Sequence, residues 1–269
     1  MRTISKIVLA IAKKLPYGYF KVIRYAADRD PALHNYEIPL SFSDEHFLIA
    51  DLRESVYTGV LRSGHIPHQV GFDKICRQII KPGDTVFDVG ANVGYTALLF
   101  SHLVGKQGKV IALEPIPKAF NMLKKSTEKH KNIECLNLAV GERDGSVQMH
   151  VPSMLDRARV LESRATEESD KGAIEVECVA LKRLYEQFGS PNFIKIDVEG
   201  FEDHIIRGLP KKLDKLPYIV FESLDAKARD KNIAMLMEKG FCKFHRISKD
   251  GRLVDVDCDY GSSDYIAVP

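Results

Sequence analysis

The segment VFDVGANVG at residues 86–94 is the feature that most constrains the fold. It reads as an apolar strand, a glycine-containing turn and the start of a helix. Gly90 and Gly94 allow the backbone to pass close to a ligand, and the helix that follows presents free N–H groups at its first turn. The spacing is not the dinucleotide fingerprint Gly-x-Gly-x-x-Gly, because Ala91 and Asn92 stand where its second glycine belongs. A cofactor without a pyrophosphate therefore fits this turn better.

From Thr85 onward, short apolar runs alternate with helical patterns, which is typical of a doubly wound parallel sheet. The predicted strands are Thr85–Val89, Lys109–Leu113, Ile133–Leu138, Phe193–Ile196, Tyr218–Glu222, Cys242–Ile247 and Asp264–Val268. The predicted helices between them are Tyr95–Val104, Pro117–His130, Leu181–Phe188, Phe201–Leu209 and Lys227–Lys239. We therefore predict an α/β domain over residues 81–269, with a Rossmann-like, seven-stranded, mostly parallel sheet and helices on both faces.

Residues 1–80 are predicted to form a helical N-terminal extension, with a strand at Phe47–Leu52 and a helix at His68–Ile80. The first 24 residues carry six basic side chains and no acidic one. Their apolar run from Ile7 to Ile11 is too short to span a bilayer and lacks a signal-peptide cleavage site. A basic amphipathic helix is predicted, and two alternatives stay open: it packs on its own domain, or it lies on an anionic membrane surface.

Charge and cysteine content limit the classes of partner. Lysine and arginine total 39 against 37 acidic residues, so no nucleic-acid partner is expected. The five cysteines are scattered without a Cys-x-x-Cys pair, which excludes a typical zinc site. They are predicted to be free thiols in a reducing, cytoplasmic environment, with membrane association as the open alternative.

Polar residues that follow the next two strands predict a nucleoside site. The second strand ends in Glu114-Pro115, 26 residues after Asp88. A carboxylate at this tip can accept hydrogen bonds from both ribose hydroxyls, and Asp88 is predicted to face the same crevice and hold the cofactor's amino-acid portion, directly or through water. The stretch from Asn137 to Val140 is predicted to lie near an adenine ring.

The segment FIKIDVEGFE at residues 193–202 places two carboxylates, Asp197 and Glu199, after the fourth strand. Ligands of open α/β sheets bind at this carboxyl edge, and clustered acids there have perturbed protonation that suits a general base. Glu202 is interpreted as a helix-start carboxylate favoured by the helix dipole.

With these motifs the chain, over about Gly83 to Pro269, resembles an FkbM-type methyltransferase, above all in the segment at 194–202 and in Val220-Phe221-Glu222. The resemblance implies a class I methyltransferase fold, S-adenosylmethionine as the methyl donor, and O-methylation of a hydroxyl on a sugar, glycan or other small metabolite. The acceptor varies widely within the family.

Site residues follow from the motifs and the resemblance together. The predicted cofactor-binding residues are Asp88, Gly90, Asn92, Gly94, Glu114, Pro115, Asn137, Ala139 and Asp197. The predicted catalytic residues are Asp197, Glu199 and Glu222. The resemblance implies that Asp197 lies beside the transferred methyl; it is the first candidate base, with Glu199, His204 and Glu222 as alternatives. No metal site is predicted, although such carboxylates can bind a divalent ion.

Four further points stay open on the sequence. His65 and His68 are candidates for the acceptor mouth, and the polar stretch 153–172 is a candidate mobile loop or lid. A nicotinamide-dependent oxidoreductase is a second hypothesis, disfavoured by the missing glycine. A non-catalytic nucleoside-binding module that acts through the basic N-terminus at a membrane or partner surface is a third.

Overall fold

The computed structural model describes residues 3–15, 17–151, 159–160, 173–198, 200–256 and 263–269. Its N-terminal elements are α1 (Thr3–Ala12), α2 (Tyr19–Ala27), β1 (Tyr36–Leu40), β2 (Ser43–Ala50), α3 (Ser55–Ser63) and α4 (Val70–Ile79), with short 3-10 helices at Pro31–Asn35 and Pro67–Gln69. The N-terminal extension is therefore only partly helical, because β1 and β2 pair as an antiparallel hairpin. The predicted strand and helix of this region overlap β2 and α4.

The remaining elements alternate between strand and helix from β3 to β5 and again from β9 to β12, as predicted, with additional strands between and after these two stretches. In chain order they are β3 (Thr85–Val89), α5 (Tyr95–Val104), β4 (Lys109–Leu113), α6 (Pro117–Thr127), β5 (Ile133–Leu136), β6 (Ala139–Gly141), β7 (Gly145–His150), β8 (Arg159–Val160), β9 (Ala173–Ala180), α7 (Leu181–Phe188), β10 (Phe193–Ile196), α8 (Glu202–Arg207), β11 (Tyr218–Ser223), α9 (Ala226–Glu238), β12 (Lys243–Ile247), β13 (Leu253–Val254) and β14 (Ser263–Val268).

The main sheet has the strand order β13-β12-β14-β11-β10-β3-β4-β5. The five strands from β11 to β5 pair in parallel, and β14 runs antiparallel to β11 and β12. All seven predicted strands are present, and the two-residue β13 adds a short eighth. The chain passes outward from β3 to β5 and then returns to β10 on the other side of β3, which creates a topological switch point between β3 and β10. The predicted class I methyltransferase architecture is confirmed by this topology.

Helices cover both faces of the sheet because alternate strand residues point to opposite sides. Phe87 and Ile111 pack in one core with Leu236 of α9. Val86 and Val110 pack in a second core with residues of α4, α5 and α6. Burial on both faces explains why these central strands are continuous apolar runs.

A second sheet, with the order β6-β9-β7-β8, was not predicted. The predicted strand Ile133–Leu138 ends early, at Leu136, because the Asn137 side chain donates hydrogen bonds to the carbonyl oxygens of Glu114 and Pro115 at 2.8 and 2.9 Å. The chain then turns into β6 of the second sheet. Of the stretch 153–172, the candidate mobile loop or lid, only Arg159–Val160 lies within the described residues, where it pairs with β7.

Cys76, Cys135, Cys178 and Cys242 carry free thiols, and Cys258 lies outside the described residues. Among the helices that the structure describes, none combines the length and apolar character needed to cross a membrane.

His46 of β2 is buried where the hairpin packs on the sheet domain. Its ring stacks on His130 at 4.3 Å between centroids and meets His102 edge-on at 5.6 Å. Within the described part of the chain, neither ring nitrogen of His46 has a hydrogen-bond partner. Burial, reinforced by the two neighbouring histidines, lowers the pKa of His46 to about 4. At neutral pH the hairpin therefore packs on the sheet domain through an uncharged imidazole.

We expect this arrangement to make the fold sensitive to acid. The pKa of His46 is lower in the folded chain than the ordinary value of 6.5, so the unfolded chain binds more protons as pH falls from 6.5 to 4, and stability is lost over this window. The free energy of unfolding should drop by about 1–2 kcal/mol between pH 7.5 and pH 5 through this residue. Urea unfolding of the wild type and of His46→Phe at these two pH values measures the drop. Equal losses in the two proteins would refute the assignment, and His245→Phe on β12 is the matched control.

Candidate active site

A cavity of about 910 Å³ opens at the carboxyl edge of the main sheet, at the switch point between β3 and β10. One wall consists of the loops that follow β3, β4 and β10. The opposite wall consists of α3, the 3-10 turn before α4, α4 itself and the segment after β12. A cavity of this size suits a small-molecule ligand together with a second reactant.

The cavity brings most of the predicted site residues together. Those that line it are Gly90, Asn92, Glu114, Pro115, Ala139, Asp197 and Glu222. Three predicted cofactor residues, Asp88, Gly94 and Asn137, are not part of the lining. Glu199 lies outside the described residues.

Glu114, directly after β4, is the central carboxylate of the first wall. It is only 6% exposed, and its two oxygens accept hydrogen bonds from the backbone N–H groups of Asn92 (2.9 Å) and Ile116 (2.8 Å). Burial raises the pKa of Glu114 to about 7. The side chain thus ties the loop after β3 to the loop after β4 while it faces the cavity.

The turn after β3 depends on unusual backbone conformations. Gly90 has φ +81°, and a Cβ there would collide with the backbone oxygen of Asp197. Asn92 has φ +50°, and its side-chain oxygen accepts a hydrogen bond of 3.1 Å from the hydroxyl of Tyr57 on α3. Only glycine fits the first position without strain, and the second links the turn to the opposite wall.

Lys195 of β10 lines the cavity and lies between two carboxylates. Its Nζ lies 3.0 Å from Asp197 Oδ2 and 3.7 Å from Asp88 Oδ1, and its side chain is 5% exposed. Burial alone lowers the pKa of Lys195, but Asp197 and Asp88 more than offset this, so the pKa is raised and the ammonium stays charged. Sequence reasoning did not single out Lys195.

The prediction that Asp88 faces the crevice is wrong in this geometry. Asp88 is fully buried, and its Oδ2 accepts a hydrogen bond of 2.7 Å from the hydroxyl of Thr96. Its carboxylate supports the floor of the site through Lys195 and has no surface on the cavity. Gly94 instead begins α5, and Asn137 fixes the backbone of the Glu114 loop.

A second pair of carboxylates lines the cavity beside Asp197. Glu222 of β11 and Asp264 of β14 are direct partners in the antiparallel register. Burial raises the pKa of Asp264 to about 7, and the nearby charges of Asp197 and Glu222 act in the same direction. Asp264 was predicted only as the first residue of a strand. Asp264 meets Glu222 only because β11 pairs with β14, and no local sequence pattern indicates this pairing.

The three histidine candidates differ in their position relative to the cavity. His68 lines the cavity, and His65 does not. His204 lies away from the cavity, where its ring stacks on Phe201 at 4.1 Å and its Nδ1 is 2.9 Å from Asp203 Oδ1. In the described ranges, no group of three or more His, Cys, Asp or Glu side chains has the geometry of a metal site.

The far wall also contains residues that the sequence analysis did not single out. They are Tyr57 of α3, Phe72 of α4, and Arg246 and Lys249 near the end of β12. Glu202, in contrast, is placed as predicted at the start of α8, where it accepts a hydrogen bond from the Gly200 N–H at 3.0 Å.

Residues 88–245, more than half of the chain, match the family model of the methyltransferase FkbM domain. The chain belongs to the FkbM methyltransferase family. The resemblance drawn from the motifs is confirmed, and the matched region contains most of the first wall of the cavity.

Sequence identity to individual relatives is low or restricted to a short segment. The chain is 22% identical over 159 residues to the hexuronic acid methyltransferase AglP of Haloferax volcanii, a match that covers 58% of this chain and 62% of that protein. It is 44% identical over 52 residues to the 31-O-demethyl-FK506 methyltransferase FkbM of Streptomyces tacrolimicus, covering 19% and 20%. The chain thus spans less than two thirds of the length of these relatives.

A crystal structure of an S-adenosylmethionine-dependent O-methyltransferase from Thermotoga maritima superimposes with a TM-score of 0.44 and 13% identity, over 87% of this chain and 77% of that chain. The fold assignment rests on the strand order and helix placement of the sheet itself.

Proposed function

We propose that this protein is an S-adenosylmethionine-dependent methyltransferase that methylates a hydroxyl group on a sugar, glycan or small metabolite. The observation that carries the proposal is that Glu114 and Asp197 face one cavity at the switch point of the sheet, in a chain of the FkbM methyltransferase family. Relatives named for a hexuronic acid and for 31-O-demethyl-FK506 support such an acceptor, and the second name indicates transfer to oxygen.

The residues of the first wall fit this cofactor. Glu114 lies at the tip of β4, where its carboxylate can accept hydrogen bonds from the two ribose hydroxyls. Leu138 and Ala139 offer an apolar surface for the adenine ring, and Asp197 offers a negative charge for a cationic group. The turn at Gly90 lacks the second glycine that a pyrophosphate would need.

S-adenosylmethionine supplies a methyl group on a positively charged sulfur. The protein must align an acceptor oxygen with that methyl and remove the hydroxyl proton. We assign the acceptor to the wall formed by the N-terminal residues and the segment after β12. Lys195 holds Asp197 in place from below, so that the floor of the site is rigid when the two reactants meet.

The pair Glu222–Asp264 is better suited to take the proton than Asp197. Asp197 already forms an ion pair with Lys195, with 3.0 Å between Oδ2 and Nζ. Transfer of a proton to Asp197 would weaken this ion pair. Asp264 has a pKa of about 7, close to the pH at which a base is most effective. When bound, S-adenosylmethionine would supply the methyl group for the acceptor oxygen and be left as a neutral thioether, and the Asp264 carboxylate would accept the hydroxyl proton and release it to water.

We expect Asp264→Asn to lower turnover by about 10²- to 10⁴-fold while S-adenosylmethionine affinity stays within about twofold. Transfer of a radioactive methyl group to methyl glucuronides and other methyl glycosides measures turnover, and calorimetry measures affinity. Wild-type turnover should rise with pH and level off above about 7, because the base must be ionised. Asp214→Asn, at an exposed position outside the cavity, is the control. Unchanged turnover in Asp264→Asn would assign the proton to another group.

A further inference from the structure

The two N-terminal helices present an unusual concentration of exposed apolar side chains. Among the residues that the structure describes, eight large hydrophobic side chains are exposed, and five of them lie within the first 25 positions. These five are Ile7, Ile11, Tyr17, Val22 and Tyr25. The exposed fractions of Ile7 and Ile11 are 54% and 55%, and that of Tyr17 is 88%. Single exposed apolar residues are common in proteins, whereas a cluster of this kind indicates a binding surface.

Packing within the protein does not account for this surface. Leu9 and Ala12 of α1, together with Ile23 and Ala27 of α2, are buried and belong to the same core as the β1–β2 hairpin. The helices are therefore anchored by their inner faces. Ile7 and Ile11 lie one turn apart on the outer face of α1, so they are available to a partner.

All charged residues in the first 27 positions are basic. Lys6, Lys13, Lys14, Lys21 and Arg24 are all exposed, and no acidic residue precedes Asp28. The whole chain has a net charge of only +2, so this end is strongly basic against a nearly neutral background. A surface that combines apolar tips with lysine and arginine is complementary to the interface of an anionic bilayer.

We propose that the outer face of α1 and α2 docks on a membrane surface rich in anionic phospholipid. The isoleucine and tyrosine side chains enter the region between headgroups and acyl chains, and the lysines contact phosphate groups. A second copy of the chain is a poorer occupant, because a two-fold interface would bring two basic surfaces together. The proposal stands independently of the methyltransferase chemistry.

The test is co-sedimentation of the full chain with vesicles. Vesicles of phosphatidylglycerol and phosphatidylcholine in equal amounts should bind the protein, pure phosphatidylcholine should not, and binding should weaken as salt is raised. Lys13→Gln/Lys14→Gln should bind about 25-fold more weakly, since each lysine near an anionic surface contributes roughly a fivefold factor. Ile7→Glu/Ile11→Glu should abolish binding.

Met237→Glu is the matched control, because Met237 is 59% exposed on α9, away from the basic cluster, and its replacement should leave vesicle binding unchanged. Thermal melting and S-adenosylmethionine calorimetry should give wild-type values for all variants. The proposal is overturned if the two kinds of vesicle bind equally, if neither binds, or if Ile7→Glu/Ile11→Glu instead converts a solution dimer to a monomer. Failure of cofactor binding in every protein would count against the methyltransferase proposal alone.

Discussion

Replacement of Lys195 by methionine is expected to lower the free energy of unfolding by about 3–5 kcal/mol. Lys195 lies within ion-pair distance of two carboxylates, and Asp88 is fully buried. Methionine fills a similar volume without charge, so the loss arises from an uncompensated buried carboxylate rather than from a cavity. The change should shift the midpoint of urea unfolding with little change in its slope.

Two variants make this prediction specific. In Asp88→Asn/Lys195→Met the buried negative charge is removed together with the lysine, so most of the lost stability should return. Lys215→Met, at an exposed position, should change stability by less than about 0.5 kcal/mol. If Lys195→Met proves no more destabilising than Lys215→Met, the ion pairs beneath the cavity do not support the fold.

Glu114→Ala is expected to weaken S-adenosylmethionine binding at least 100-fold, or about 3 kcal/mol, because the two charge-assisted hydrogen bonds that we propose between Glu114 and the ribose would be lost together. Calorimetry on the wild type and the variant measures this. The pKa of Glu114 is about 7, and the ionised carboxylate is the better acceptor, so affinity in the wild type should fall as pH drops below 7.

Glu114→Gln removes the charge of this side chain and keeps its shape. The amide keeps one oxygen that can accept the N–H of Asn92 or Ile116, but its NH2 group meets the other N–H as a second donor, so the free energy of unfolding should fall by about 1–3 kcal/mol. Its affinity for S-adenosylmethionine should be reduced and should no longer vary with pH near 7. Wild-type affinity in Glu114→Ala would exclude Glu114 from the cofactor site.

The core of the fold could be predicted because its strands are buried on both faces. Such strands are continuous apolar runs, and three predicted strands, Thr85–Val89, Lys109–Leu113 and Phe193–Ile196, coincide with the observed ones. The second sheet was not predicted because its strands have a different sequence pattern. In β7 and β9 polar and apolar residues alternate, and β9 pairs with β7 on one side and with β6 on the other, which no local pattern specifies.

The first wall of the site could also be predicted from the sequence, because Gly90, Asn92 and Glu114 belong to local strand–turn–helix motifs. The Glu222–Asp264 pair could not be predicted, since it arises from the register of two strands that are distant in the chain. Asp88 was misplaced for a related reason. Side chains alternate along a strand, and Asp88 points into the protein toward Thr96 and Lys195 instead of toward the cavity.

Titration of the purified protein with S-adenosylmethionine and, in parallel, with a reduced nicotinamide dinucleotide tests the proposed activity most directly. We predict saturable binding of S-adenosylmethionine with one site per chain and no binding of the dinucleotide. Binding of the dinucleotide in place of S-adenosylmethionine would contradict the methyltransferase assignment and favour hydride transfer, and binding of neither would leave the cavity without the cofactor that its carboxylates are proposed to hold.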